Sequence, residues 1–267
     1  MTSPLDAIVA FHRARADADE RRTSKVLDEA GRHASPPSLL DALIRPEGHP
    51  LRVVAEVKRR SPSAGELRDD LDVAALAGAY EQGGAAAISV LTDGPHFGGA
   101  ADDVVTVRAT TALPALRKDF TVCVNDVADA RIMGASGVLL IVAILSRAEV
   151  RTLLEVAGLL GLTALVEVHD AREQTLALEL GALLIGVNQR DLSTFEVDPS
   201  RAATLAGGFP TDVVTVAESG IGDPHAAGGC AALGYDAILV GEALVRSADP
   251  ARTLAAMRGA DPTDAAA

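Results

Sequence analysis

From residue 51 onward the chain is punctuated by eight short apolar runs rich in Val, Ile, Leu and Ala. They are "LRVVAEV" (51–57), "AAAISVL" (85–91), "LPALRK" (113–118), "GVLLIVA" (137–143), "LTALVEV" (162–168), "ALLIGVN" (182–188), "DVVTVAE" (212–218) and "DAILVGE" (236–242). Near-continuous apolar runs of this length predict strands buried on both faces, as in a parallel sheet covered by helices. The intervening stretches, such as "LDVAALAGAYEQGG", "SRAEVRTLLEVAGLLG" and "DAREQTLALELG", carry the helical pattern. The runs begin about 26 residues apart on average, the length of one βα unit. Eight such units predict an α/β fold of the closed (β/α)8 TIM-barrel type.

A doubly wound open sheet is the competing fold. It would carry a GxGxxG turn after its first strand, whereas the first strand here runs into "KRRSPSAG" (58–65). The barrel is therefore the reading. Ahead of it, residues 4–30 predict a helix, "SPPSLLDALI" (35–44) a short second one, and "RPEGHP" (45–50) a break. Residues 1–50 are thus expected to form a helical extension packed on the barrel, and 51–267 a single catalytic barrel domain.

In such barrels the C-terminal strand ends build the active site. Here those ends are charged or polar: Glu56 and Lys58, Lys118, Glu167, Asn188 with Arg190, and Glu218 followed by Ser219 and Gly220. A charge at the start of a loop is ordinarily just solvated. Three carboxylates and two lysines in or directly after otherwise apolar strands are a different matter, because buried charges are costly unless paired. Paired acids and amines tune one another's proton affinity, as acid–base chemistry requires. Glu56 with Lys58 and Glu167 with Lys118 are the expected pairs. "ESGIGDP" (218–224) and "VGEAL" (240–244) place backbone N–H groups after strands seven and eight, the usual phosphate position of this fold. "SPSAG" (61–65) adds the hydroxyls of Ser61 and Ser63.

Charge and composition narrow the partners. Twenty-four basic against 37 acidic side chains give a net charge of −13, which disfavours nucleic acid and anionic membranes but allows a local anion site. No apolar run reaches the length of a membrane span, and the doubly charged N-terminus does not read as a secretory signal. A cytoplasmic protein is expected. Cys123 and Cys230 form no metal motif, and the six histidines lack metal-binding spacing. The sequence implies no metal. It leaves the oligomeric state open, with a monomer the expectation.

Taken in order, "EVKRRSPSAG", "ISVLTDGPHFGG", "LRKDF", "LLIVAIL", "LVEVHD", "IGVNQRDLSTFEVD", "VAESGI" and "ILVGEALVR" resemble the indole-3-glycerol-phosphate synthase family over residues 50–250. The resemblance implies a lyase of tryptophan biosynthesis that needs no cofactor. Its substrate would be 1-(2-carboxyphenylamino)-1-deoxyribulose 5-phosphate, closed to indole-3-glycerol phosphate with loss of carbon dioxide and water. Position by position, Lys118 matches the family's general acid for ring closure, and Lys58 the lysine near the substrate carboxylate. Glu167 and Glu56 match its catalytic glutamates. Asn188, Arg190, Glu218 and Ser219 match residues that orient substrate. Ser61, Gly220, Gly241 and Glu242 fall where the family holds phosphate, Glu242 through its backbone N–H. Phe97, Phe120, Leu139, Leu192 and Leu239 are expected around the aromatic ring. A barrel isomerase of the same pathway would instead resemble a chain with Cys and Asp at the ends of strands one and five, where this chain has the Lys58 region and Glu167. A catalytically retired scaffold would have lost Lys118, Lys58 or Glu167.

Overall fold

The computed structural model describes residues 4–61, 65–68, 70–192 and 194–259. The eight apolar runs form the eight barrel strands: β1 Arg52–Val57, β2 Ala87–Leu91, β3 Ala115–Lys118, β4 Gly137–Ile141, β5 Thr163–Val168, β6 Leu184–Asn188, β7 Val214–Glu218 and β8 Ala237–Val240. All neighbours pair in parallel, and β1 pairs with both β2 and β8, so the sheet closes on itself. Closure buries both faces of every strand, which is why the runs are apolar throughout rather than alternating.

Helices α4 Val73–Gln82, α6 Ala101–Thr110, α7 Val124–Ile132, α8 Arg147–Leu159, α9 Ala171–Glu179, α10 Ser200–Ala206 and α11 Pro224–Ala232 follow the first seven strands. A short α5, Gly94–Phe97, precedes α6, and α12 Glu242–Val245 with α13 Pro250–Met257 follows β8. Side-chain oxygens start many of them: Asp72, Asp170, Asp223 and Asp249 each accept a backbone N–H of the first turn.

Inside the barrel, Val54, Leu116, Leu139, Leu165, Val216 and Leu239 pack into one apolar cluster. Its floor comes from outside the repeat. Helix α3, Leu39–Leu43, inserts Leu39 and Leu43 into that cluster. Gly137 at the start of β4 makes this possible, since a Cβ there would meet Leu39 Cδ2 at 2.6 Å.

The expected helix over 4–30 is two helices, α1 Pro4–Asp17 and α2 Thr23–Ala30. The break has a cause in charge. Asp19 accepts hydrogen bonds from Arg21 and from Asn125 Nδ2 at 2.8 Å, and Arg21 also reaches Asp129 at 2.8 Å. These bonds turn the chain so that Val26 and Ala30 pack on Ala128 of α7. Helix α1 runs over the barrel mouth, where its Leu5 and Ile8 join the wall of the central cavity. A two-residue hairpin, 60–61 with 65–66, also escaped the sequence pattern because neither arm is long enough to carry a period.

Candidate active site

A cavity of about 480 Å³ opens at the C-terminal end of the strands. Glu56, Lys58, Ser61, Phe97, Lys118, Phe120, Glu167, Asn188, Arg190, Leu192, Glu218, Ser219, Gly220, Leu239, Gly241 and Glu242 all line it. Of the residues singled out in the sequence, Ser63 alone lies outside the described residues. Leu5, Ile8, Phe195, Ile221 and Arg246 line it too and carried no sequence signal.

In "LRKDF" only the middle charge is available for chemistry. The Arg117 guanidinium donates to Asp119 at 2.9 Å and to the Asp126 carbonyl at 2.8 Å. Asp119 also accepts from the Phe120 backbone at 2.8 Å and from Thr92 Oγ1 at 2.5 Å. Lys118, pointing the other way from its neighbours on the strand, extends into the cavity between two carboxylates. Its Nζ is 3.8 Å from Glu167 Oε2 and 3.7 Å from Glu218 Oε2. The sequence had suggested the Glu167 pair; the equal approach of Glu218 comes from β7, far away in sequence. Burial opposes the Lys118 charge, but Glu218, Glu167 and Glu56 outweigh it and hold the ammonium protonated well above its usual range.

The three glutamates differ in surroundings. Glu56 sits 2.6 Å from Lys58 Nζ; burial works against its ionisation, and Lys58 and Lys118 overcome it. Glu167 is equally buried, yet contacts with His169 and Lys118 keep it below the ordinary carboxylate range. Glu218 is the exception. Burial and the neighbouring Glu167 drive its pKa upward, against the pull of Lys118. Neither of its oxygens accepts a geometrically good hydrogen bond among the described residues. One ammonium flanked by an ionised and a proton-retaining carboxyl is an acid–base arrangement.

Backbone geometry makes room for these groups. Gly241 lies against the first pair, where a Cβ would overlap Glu56 Oε1 and stand 3.1 Å from Lys58 Nζ. Gly186 does the same for Glu218. Ser219 and Gly220 follow β7 with φ of 65° and 72°, turning the chain across the rim. For Ser219 that is a strained conformation of the kind found at functional sites. Gln189 Nε2 holds the Ser219 carbonyl at 2.7 Å. The Glu242 carboxylate accepts from Arg246 Nε at 3.1 Å. Arg190 is braced by its bond to the Phe195 carbonyl at 2.8 Å and by the bridge to Val197. Ser61, Ser219, Gly220, Gly241 and Arg246 line the cavity together with these rim loops.

The apolar wall is aromatic on one side. Phe97 and Phe120 rings lie 6.2 Å apart, and His12 of α1 sits 5.1 Å from Phe120. His12 Nε2 and His96 Nδ1 both reach Asp93 Oδ2, at 2.7 and 2.9 Å. The spacing of histidines in sequence gave no hint of this cluster, whose atoms lie within 4.8 Å of one another. It ties α1 to the loop after β2.

Two solved barrels share this fold at low sequence identity. They are thiamine phosphate pyrophosphorylase from Pyrococcus furiosus, with TM-score 0.59, 20% identity, and coverage of 78% of this chain and 94% of that one, and N-acetylmannosamine-6-phosphate 2-epimerase from Clostridium perfringens, with TM-score 0.59, 19% identity, and coverage of 79% and 92%. Sequence relatives are much nearer. Indole-3-glycerol phosphate synthase of Mycobacterium ulcerans is 46% identical over 252 residues, covering 94% of this chain and 92% of its own. That of Micrococcus luteus is 50% identical over 213 residues, 80% of each chain. The family model for indole-3-glycerol phosphate synthase matches residues 5–257. With the strand-end charges, the glycine-lined rim and these matches together, the chain belongs to the indole-3-glycerol phosphate synthase family.

Proposed function

We propose that the cavity closes the indole ring of 1-(2-carboxyphenylamino)-1-deoxyribulose 5-phosphate, with Lys118 as the acid at the sugar carbonyl. The observation that carries this is the position of Lys118 Nζ, less than 4 Å from both Glu167 and Glu218 inside the cavity. As the ring carbon bearing the carboxylate attacks the carbonyl, negative charge grows on that oxygen. A buried ammonium beside it stabilises the charge and hands over a proton. Its high proton affinity suits a group held charged until substrate enters between it and the glutamates.

Lys58, just past the end of β1, pairs with the substrate carboxylate in place of Glu56 until carbon dioxide leaves. Loss of carbon dioxide from the attacking carbon restores the benzene ring; Glu167, ionised, then takes a proton from the methylene next to nitrogen, while Glu56 with Lys58 serves the loss of hydroxyl that makes the pyrrole aromatic. Asn188, Arg190, Glu218 and Ser219 orient the sugar. Phe97, Phe120, Leu192 and Leu239 form the slot for the aromatic ring, whose insertion removes apolar surface from water. The phosphate lies against the backbone of Gly220, Gly241 and Glu242, with Ser61 beside it.

This makes the chain one catalytic unit, with residues 1–50 as an extension on a barrel of residues 51–267. Leu5 and Ile8 in the cavity wall support that organisation. A cytoplasmic setting suits the two free thiols, Cys123 and Cys230, and no helix among the described residues is long and apolar enough to cross a membrane. The residues assigned here supply the whole sequence of proton transfers without a metal or nucleotide. Incubation of the purified protein with the substrate tests the reading: carbon dioxide and indole-3-glycerol phosphate should appear in equal amounts. Folded protein that forms neither would overturn it.

A further inference from the structure

One half-buried titratable side chain beside the cavity has no part in the chemistry above. His169 stands one residue past β5, two positions from Glu167 and on its side of the chain. Its Nε2 is 3.4 Å from Glu167 Oε1 and its Nδ1 is 3.0 Å from Glu173 Oε2. Glu173, in the first turn of α9, also accepts the His169 backbone N–H at 2.7 Å, so the ring is held from behind. Capping does not require this contact, since Asp170 already accepts the backbone N–H groups of Arg172 and Glu173 at 2.8 and 2.9 Å.

Each ring nitrogen therefore faces a carboxylate oxygen, and only an imidazolium has an N–H for both. Neither Glu167 Oε1 nor His169 Nε2 has a geometrically good hydrogen bond to any described residue, so their 3.4 Å approach is a contact between charges. The geometry points to His169 as a positioning residue for the reaction: a permanent imidazolium, anchored by Glu173, that keeps Glu167 ionised and aimed into the cavity. The inference rests on the proposed role of Glu167 as a base.

The charges around the pair explain why a second cation is needed. From β3, Lys118 faces Glu167; from β6, Asn188 hydrogen-bonds it; from β7 and β1, Glu218 and Glu56 compete for the same ammonium. Lys118 is thus shared among three carboxylates, and it is also the group that gives up a proton during ring closure. At that moment Glu167 would lose its counter-charge inside a buried site, which favours protonation of the carboxylate. His169 does not itself line the cavity and keeps its proton throughout. Burial opposes its charge, but the flanking Glu167 and Glu173 raise its pKa to about 10.

The experiment compares His169→Ala and Glu173→Gln with the parent enzyme, reading kcat and KM across pH 3–9, with Glu167→Gln alongside. Loss of the cation should raise the pKa of Glu167 from its depressed value, so the acidic limb of kcat should move up by about one pH unit. Loss of the contact that aims the carboxylate should lower kcat at pH 7 roughly 10- to 100-fold, with KM changed less than about threefold. Glu173→Gln should shift the limb the same way, by less. Nitrogen-15 spectra of the parent should show His169 doubly protonated through pH 8.

Folded variants with an unmoved limb and kcat within twofold of the parent would overturn the inference, as would a neutral His169 ring at pH 7. If His169→Ala does not fold, Glu173→Gln decides by the same criterion. Near-parental activity of Glu167→Gln would strike at the catalytic role of Glu167 itself, whatever the charge on the ring.

Discussion

Glu56 Oε1 lies 2.6 Å from Lys58 Nζ, and the backbone of Gly241 closes over both groups. The pair belongs to the end of β1, while the glycine follows β8, so the seam where the barrel closes is also where an acid and an amine are set. Tyr80 from α4 donates to the Glu56 carbonyl at 3.0 Å, fixing the strand end beneath them.

A methyl group at position 241 would overlap the Glu56 carboxylate and crowd Lys58. Gly241→Ala should therefore fold but lose roughly 10- to 100-fold in kcat/KM, the scale expected when catalytic groups are displaced by about 1 Å. Steady-state kinetics with circular dichroism as the folding control checks this; unchanged kcat/KM would show that the pair tolerates displacement.

Adjacent charges on β3 should separate stability from activity. Arg117 is buried and tied to Asp119, so Arg117→Ala leaves an uncompensated buried carboxylate and should cost about 3–5 kcal/mol of stability. Lys118→Ala should cost far less, because Glu218 already tends to hold a proton. Urea unfolding of the two variants measures the contrast.

The His12–Asp93–His96 cluster joins α1 to the loop after β2, and α1 brings Leu5 and Ile8 to the cavity. His12→Ala should lower stability by about 1–3 kcal/mol through the buried Asp93 left short of a donor. It should raise KM several-fold while kcat moves little, since the wall shifts and the acid–base groups do not. Unfolding curves and KM together test this.

Stability should depend on pH through His169. Its folded pKa, about 10, lies above the 6.5 of an unperturbed imidazole, so the native state binds this proton more tightly than the unfolded chain. The resulting stabilisation is complete below about pH 6.5 and is lost as pH rises toward 10. The difference in Tm between parent and His169→Ala should accordingly narrow over that interval in a melting series; a constant difference would argue that the ring is neutral in the fold.

Much of this architecture was written in local pattern. Strands buried on both faces yield unbroken apolar runs, so the barrel could be read from "LRVVAEV" through "DAILVGE". Charges at their ends could be read because they interrupt those runs. What stayed hidden depends on approach in space. Glu218 nears Lys118 only because β7 and β3 face each other across a closed barrel. Leu5 and Ile8 reach the cavity only because α1 turns over its mouth. The break between α1 and α2 follows from Arg21 finding Asp129, a partner 108 positions away. His169 looked like an ordinary loop residue until Glu167 and Glu173 were placed on either side of it.

The central claim is that Lys118 is the acid of ring closure. The chain contains no tryptophan, so indole fluorescence from product can be followed directly in the presence of the enzyme. Parent and Lys118→Ala proteins, matched for folding by circular dichroism, should be given the carboxyphenylamino-deoxyribulose phosphate substrate without metal or nucleotide. The parent should form product steadily, and the variant should show a kcat at least about 10²-fold lower. A variant turning over within threefold of the parent would contradict it.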